Sequence, residues 1–495
     1  MDVMARGGGA ESLPAVLAAL LLCCGGGALS ADAGKTPVAV DPDSTVAALD
    51  AAPLGLALNE AMDGHLPLET LIAAVKASGV KRLRFPEGEG ADGYCWTAPG
   101  TFADPDPKTH RSMFPEWHAG WVPGMDAEGR YGMGLDFDRF IAVCEAAGCA
   151  PTVVLCYPGR DKAESLELAK AWVKYAKDRN CGVVDWEIGN ETWLFNQEFT
   201  DLHPVTAAEY AKDAAAWSAA LKAIDPGIRI GVNGRSGDWF RTLVEYRPAA
   251  PDAGGAPAFD FLVAHPYPMH GKPFAHYRDH PAMDLAPDVS AALAALDRAG
   301  ESAGGARLRV AATEFGAMNY LKGNDPNNLG VAVATAEMAL SILSRPRVDY
   351  AMLWNSRYHT NFTDAQPVAF DAFSKTNGLN PTGLALSVVC RFLNGKVRLV
   401  KAVSGKGTLR AFAAADGDGI VDILLVNRAD APETVEISVT GAVSAGPPRF
   451  HKHVFTGAGP SDFNPVFRPD GVSGAESAAV PPTSIVLLET PKSGK

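Results

Sequence analysis

The chain has 495 residues, 47% hydrophobic and 20% charged, with 50 Gly, 36 Pro and a mean hydropathy near zero, a globular composition that excludes disordered and collagen-like proteins. That length suits one barrel of roughly 250 to 350 residues plus a smaller module, with ample material for a core. Lys plus Arg number 44 against 57 Asp plus Glu, a net charge of −13 with no basic run, so an electrostatic footprint for nucleic acid is missing.

At the N-terminus, Arg6 supplies a short positive region, 13–24 an apolar run and Ala31-Asp32-Ala33 a small-residue cleavage site. Residues 1–33 therefore read as a secretory signal peptide, and a secreted or periplasmic protein beginning near Gly34 is expected. Cys23 and Cys24 make a lipid anchor the second reading, ranked lower because Leu22 stands where a small residue would be needed. No later stretch of about 18 apolar residues exists, so no membrane span is expected. Six cysteines remain, at 95, 144, 149, 156, 181 and 390, without the C-x-x-C spacing of a zinc site.

From residue 53 short apolar runs alternate with helical patterns. Strands are expected at 53–59, 80–85, 151–157, 183–190, 228–232, 259–265, 308–314 and 348–354. Between them lie helical patterns such as those at 68–77, 137–147, 165–177, 207–224, 289–299 and 331–343, with a last one at 381–393. Eight strand-helix units are the pattern of a closed (β/α)8 barrel, placed at 51–394. Cys149 and Cys181 each precede a barrel strand, the third and the fourth, and are expected in disulfide range if the registers match. After Asn394 the texture becomes alternating strands at 397–403, 408–414, 421–427, 434–440 and 484–488, an antiparallel β-sandwich over 395–495. The extended segment 34–50 is expected to join that module.

In such a barrel the active site is built from the C-terminal ends of the strands. Glu191 closes the fourth strand region and Glu314 the seventh, and two opposed carboxyl groups are what a glycosidase requires: one protonates the leaving oxygen, the other attacks the anomeric carbon. The plain alternative is two surface glutamates at strand ends. The long second loop, 86–134, carries Tyr94, Trp96, Trp117 and Trp121, which either stack on sugar faces or form the loop's own small core; Trp193 is placed in the same cleft. His265, His270, His276 and His280 crowd one Pro- and Gly-rich stretch, but without a zinc-type motif they are read as loop histidines, and neither metal nor cofactor is expected.

Trp186, two residues on Gly189-Asn190-Glu191, and then Thr313-Glu314-Phe315-Gly316 resemble the acid/base and nucleophile strands of the clan A glycoside hydrolases, most of all family 51, the α-L-arabinofuranosidases. LRFPEGEGADGYCW from Leu83 to Trp96, FDFLVAHPYP in the sixth strand and Leu353-Trp354-Asn355 in the eighth follow the same family order. The resemblance implies Glu191 as general acid/base, Glu314 as nucleophile and Asn190 as the contact to the sugar 2-hydroxyl. It also implies that His265 and Tyr267 orient the glutamates, that Arg84 pairs with the nucleophile or with Glu187, and that Trp354 walls the sugar ring unless it is a core residue.

Departures are specific. Pro86-Glu87-Gly88 stands where the family has Pro-Gly-Gly, placing an extra carboxylate near the cleft; Tyr157-Pro158-Gly159 replaces an asparagine loop; and Asn59 and Glu60 compete for the substrate-binding position of strand one. The expected function is a retaining exo-glycosidase acting on arabinofuranosyl side chains of plant polysaccharide. The alternatives are an endo-β-glycanase or β-xylosidase of the same clan and a non-catalytic carbohydrate-binding protein. Family 51 enzymes are often hexamers, so the resemblance leaves a homo-oligomer open.

Overall fold

The computed structural model describes residues 34–96, 111–112, 125–127, 129–159, 161–196, 205–247, 258–300, 307–317, 323–358, 368–440 and 449–491. The expected signal peptide, Trp117 and Trp121 lie outside the described residues.

Eight parallel strands close into a barrel: β2 (Leu54–Ala57), β3 (Arg82–Phe85), β6 (Ala150–Leu155), β7 (Asp185–Ile188), β8 (Arg229–Asn233), β9 (Phe261–Val263), β10 (Arg309–Phe315) and β11 (Val348–Leu353). β11 pairs back onto β2, so no edge is left open. A short antiparallel pair in the second loop, β4 (Tyr94–Cys95) and β5 (Arg111–Ser112), stands apart from the barrel sheet. The strands are short and apolar because both faces are covered, outside by helices and inside by one another. Helix boundaries follow local chemistry. The Asp136 side chain accepts from the Arg139 amide at the start of Phe137–Ala147, and Asp161 does the same for two amides opening Lys162–Asp178. Pro287 and Pro381 occupy first positions of their helices, where no intrahelical amide bond is lost. Two helices that the apolar periodicity did not announce, Gly237–Glu245 and Phe274–Asp279, complete the wall.

The two ends of the barrel differ in chemistry. At the strand starts a charged ring is paired within itself: Arg82 to Asp185 at 2.8 Å, Arg229 to Asp185 at 2.7 Å and to Asp349 at 2.9 Å, and Arg309 to Asp349 at 2.6 Å. Arg82 also lies 3.8 Å over the Tyr350 ring. Such a closed network at the bottom of a barrel reads as stability. The strand ends carry the cluster described below.

A second, nine-stranded sheet stands beside the barrel. Its first strand, β1 (Thr36–Ala48), precedes the barrel in sequence and pairs antiparallel with β12 (Arg398–Ser404) and parallel with β15 (Glu433–Val439). The remaining strands are β13 (Leu409–Ala415), β14 (Val421–Asn427), β16 (Arg449–Thr456), β17 (Val466–Gly474), β18 (Ala478–Val480) and β19 (Ser484–Glu489). The sheet curls on itself, so Phe450 and Val454 near one edge share a core with Val435 and Val480 near the other. Arg428, just past β14, reaches into the barrel wall, where it donates to the Tyr277 carbonyl at 2.9 Å, covers the Tyr277 ring at 4.0 Å and pairs with the buried Glu337.

The expected bridge between Cys149 and Cys181 is not formed. All six described cysteines are free and buried, and the Cys149 thiol is turned to the Val80 carbonyl at 3.3 Å.

Candidate active site

Arg84, the third residue of β3, is fully buried and organises the strand ends around itself. Its Nε and Nη2 donate to Glu187 Oε2 at 3.2 and 3.0 Å, its Nη1 to Glu314 Oε1 at 2.8 Å and its Nη2 to Asn190 Oδ1 at 2.8 Å. The two pairings read from the sequence as alternatives are therefore both made. Inward-pointing positions of β3, β7 and β10 meet at one point because the barrel brings residues 103 and 230 positions apart within hydrogen-bond reach.

Glu191 follows β7 in a tight turn. Gly189 has φ +71° and Glu191 itself has φ +40°, a left-handed conformation that costs a side-chain-bearing residue energy. Asn233, at the end of the neighbouring β8, holds this turn. Its Oδ1 accepts from the Thr192 amide at 2.9 Å, and its Nδ2 donates to the Ile188 and Gly189 carbonyls at 3.0 and 2.9 Å. Asp92 accepts from the Asn190 amide at 2.9 Å on the other side. Neither Asn233 nor Asp92 was singled out from the sequence. For Asn233 a signal existed: it is a polar residue ending an apolar strand, as Glu314 is.

His265, just beyond β9, is buried between the two glutamates, with Nδ1 3.1 Å from Glu191 Oε1 and 3.7 Å from Glu314 Oε2. Its Nε2 lies 3.1 Å from Thr313 Oγ1. Burial pushes its pKa down to about 4, so the ring is neutral near pH 7. Tyr267 donates to Glu314 Oε2 at 2.8 Å. Burial raises the Glu314 carboxyl above the ordinary range, while the Arg84 charge and the Tyr267 hydrogen bond pull it back toward the carboxylate. One oxygen of Glu191, one of Glu314 and a ring nitrogen of His265 lie within 4.8 Å of one another, among the described residues the one group that could also close on a metal ion.

The position contested by Asn59 and Glu60 resolves into two tasks. Asn59 spends its carboxamide within the protein, donating to Glu87 Oε2 at 2.7 Å and to the Arg357 carbonyl at 3.3 Å and accepting from the Ala61 amide at 3.0 Å. Glu60 Oε2 accepts from the Glu87 amide at 3.1 Å. Burial raises Glu60 to about 7, and burial together with the charges of Glu60 and Glu314 raises Glu87 well above the carboxylate range. Glu87 thus stands beside the cluster as an extra acidic group, as its departure from the family turn implied. The glycines around it leave space for this: a Cβ on Gly90 would sit 2.3 Å from Glu60 Oε1, and one on Gly88 would sit 3.0 Å from Glu314 Oε1.

The aromatics divide. Trp354 packs on Phe370 with ring centroids 4.6 Å apart and edge-on to Tyr267 at 6.4 Å. Its indole nitrogen, near where a Gly88 Cβ would stand, is buried without a hydrogen-bond partner among the described residues. Trp193 packs edge-on against His265 at 5.9 Å. Trp96, one of the loop aromatics offered to sugar faces, is enclosed instead. It stacks on Trp172 at 5.6 Å with the planes 3° apart and leans on Tyr175 at 5.2 Å. Tyr94 likewise packs on Phe85 and Trp172. These two rings form the small core of the second loop against the barrel wall, because burying aromatic area there stabilises a long excursion.

No family model matches the chain. A curated relative, the α-L-arabinofuranosidase C of Emericella nidulans, is 25% identical over 252 residues, 46% of this chain and 45% of that protein, so the chain spans less than half the length of the relative it matches. Among solved structures, a family 51 α-L-arabinofuranosidase from Bifidobacterium longum superposes with a TM-score of 0.70 at 16% identity, covering 93% of this chain and 99% of that one. A bifunctional glucanase-xylanase from a metagenome library superposes at 0.59 and 15% identity, covering 93% and 100%. At these identities the structural likeness shows the fold, a (β/α)8 barrel beside a mostly antiparallel sheet domain. In sequence the chain is similar to the α-L-arabinofuranosidases.

Proposed function

We propose that the protein is an exported retaining glycoside hydrolase that releases α-L-arabinofuranosyl groups from plant polysaccharide by double displacement. The observation that carries this reading is the approach of Glu191 and Glu314 oxygens within 4.8 Å, with Arg84 and Tyr267 both donating to Glu314. Retaining enzymes hold their two carboxyl groups about 5 to 5.5 Å apart, whereas inverting ones leave room for a water between them. In the first step a Glu314 oxygen bonds to the anomeric carbon as the bond to the leaving oxygen breaks, and Glu191 gives that oxygen its proton. In the second, water attacks the same carbon, Glu191 takes the water's proton and the bond to Glu314 breaks. Two inversions give retention. Arg84 and Tyr267 bind the negative charge of free Glu314 and release it as the ester forms. Asn190, its carbonyl oxygen held by Arg84, keeps its amide for the sugar 2-hydroxyl.

A second substrate, a β-glycan cut by the same mechanism, draws its support from the fold likeness to the bifunctional glucanase-xylanase. A panel of aryl glycosides, with Glu191→Ala and Glu314→Ala alongside, tests both. The reading expects hydrolysis of the arabinofuranoside, lost in Glu314→Ala and restored in Glu191→Ala by azide as a glycosyl azide of retained configuration. Activity on aryl xyloside or glucoside alone would transfer the proposal to the β-glycan. No activity on any aryl glycoside or polysaccharide would leave a carbohydrate-binding protein as the better account.

A further inference from the structure

A chain of hydrogen bonds runs from Arg84 through Glu187, Thr313 and His265 to Glu191, and each link constrains the next. Arg84 has only N–H donors to offer, and two of them point at Glu187 Oε2, so that oxygen is an acceptor. Thr313 Oγ1 lies 3.1 Å from the same oxygen. Its single hydrogen must point there, because turned elsewhere it would leave two bare oxygens facing each other in a site fully closed to water. The remaining lone pairs of Oγ1 face His265 Nε2 at 3.1 Å, so Nε2 is the nitrogen that carries hydrogen. The ring is neutral near pH 7 because burial lowers its pKa to about 4, and Nδ1 is therefore bare.

The bare Nδ1 faces Glu191 Oε1 at 3.1 Å. Its other carboxyl neighbour, Glu314 Oε2, is 3.7 Å away and already accepts from Tyr267. We propose that Thr313, backed by Glu187 and Arg84, locks His265 in the tautomer with hydrogen on Nε2, so that Nδ1 accepts a hydrogen bond from the protonated Glu191 and favours that carboxyl group in its acid form. This rests on the reading of Glu191 as acid/base. After Glu191 has protonated the leaving oxygen, the lone pair on Nδ1 opposes its new negative charge, which makes the carboxylate a readier base for water in the second step. Thr313 is a positioning residue, acting through His265.

Other titratable groups bear on the same two side chains. Asp92 after β3, Asp288 on the helix Pro287–Ala299, Tyr267 after β9 and Glu314 on β10 all face Glu191. Arg84, Glu187 and Glu314 face His265. These are background fields that a change at residue 313 leaves in place, so a shift produced there reports the tautomer.

The test uses Thr313→Val, which keeps the shape and removes the hydroxyl, and Thr313→Ser, which keeps the hydroxyl. In Thr313→Val the ring is expected to move its hydrogen to Nδ1 and donate to Glu191 as carboxylate. The alkaline limb of kcat/KM for an aryl arabinofuranoside with a poor leaving group then moves down by about one pH unit, a tenfold change in the protonation equilibrium. Thr313→Ser restores the wild-type limb. Nitrogen-15 NMR of labelled histidine reads the tautomer directly, as Nε2–H in wild type and Thr313→Ser and Nδ1–H in Thr313→Val. A wild-type ring with hydrogen on Nδ1, or an unmoved alkaline limb in a folded and active Thr313→Val, would overturn the proposal. A wild type that hydrolyses no glycoside would instead overturn the glycosidase reading, while the NMR spectrum still decides the tautomer.

Discussion

Replacing Asn233 by Ala should damage catalysis through Glu191 without touching the sugar. The side chain is buried and makes three hydrogen bonds to the backbone of the turn that carries Glu191: one from the Thr192 amide and two to the Ile188 and Gly189 carbonyls. At about 1 kcal/mol net per bond the variant loses about 3 kcal/mol of stability, and more if the orphaned groups find no water. The same bonds hold Glu191 at φ +40°, so without them the turn relaxes and the carboxyl group moves. A displacement near 1 Å costs on the order of 100-fold in rate. The assay is kcat/KM on aryl arabinofuranosides differing in leaving-group acidity, below the variant's melting range. A dinitrophenyl leaving group departs without protonation, whereas a plain phenyl group needs the acid. The loss should therefore be on the order of 100-fold for the phenyl glycoside and far smaller for the dinitrophenyl glycoside. Equal losses for both would refute the claim that Asn233 acts through Glu191.

Two further outcomes are expected. Glu60 and Glu87 hold protons in the folded protein that an unfolded chain releases near 4.5, so the native state binds more protons than the unfolded one from there to about 7. Stability should accordingly fall as pH rises through that window, and melting curves of Glu60→Gln and Glu87→Gln that keep the wild-type slope would contradict it. Arg428→Ala leaves the buried Glu337 with the Tyr277 hydroxyl and, at 3.8 Å, the half-exposed Arg410, which should cost about 3 kcal/mol in denaturant unfolding; a change below about 1 kcal/mol would mean the sheet domain does not lean on this pair.

The barrel was legible because its eight strands are short apolar runs separated by helices of helical periodicity, two signals that reinforce each other. In the sheet domain the same logic reached the segment 34–50 and five strands after the barrel, and stopped. β17 contains Pro469 and Gly471 and is largely exposed at an edge, and β18 has three residues at the other edge, so neither presents the alternation that a half-buried strand shows. In β16 alternation exists, but His451, Lys452 and His453 interrupt the apolar series. Trp96 marks another limit: an aromatic in a long loop has the same sequence signature whether it faces a ligand or Trp172.

By itself the sequence determined which chemical groups end the strands, since Arg84, Glu191, His265 and Glu314 are each polar interruptions in apolar runs, and it determined their order along the barrel. Only the tertiary structure decided who holds whom. Arg84 bridges Glu187 and Glu314, Asn233 fastens the turn under Glu191, and Thr313 faces Glu187 on one side and His265 on the other. These partners lie tens to hundreds of residues apart, and local patterning records a side chain's exposure to the core but not the neighbour it meets there. Barrel closure and strand register set those meetings.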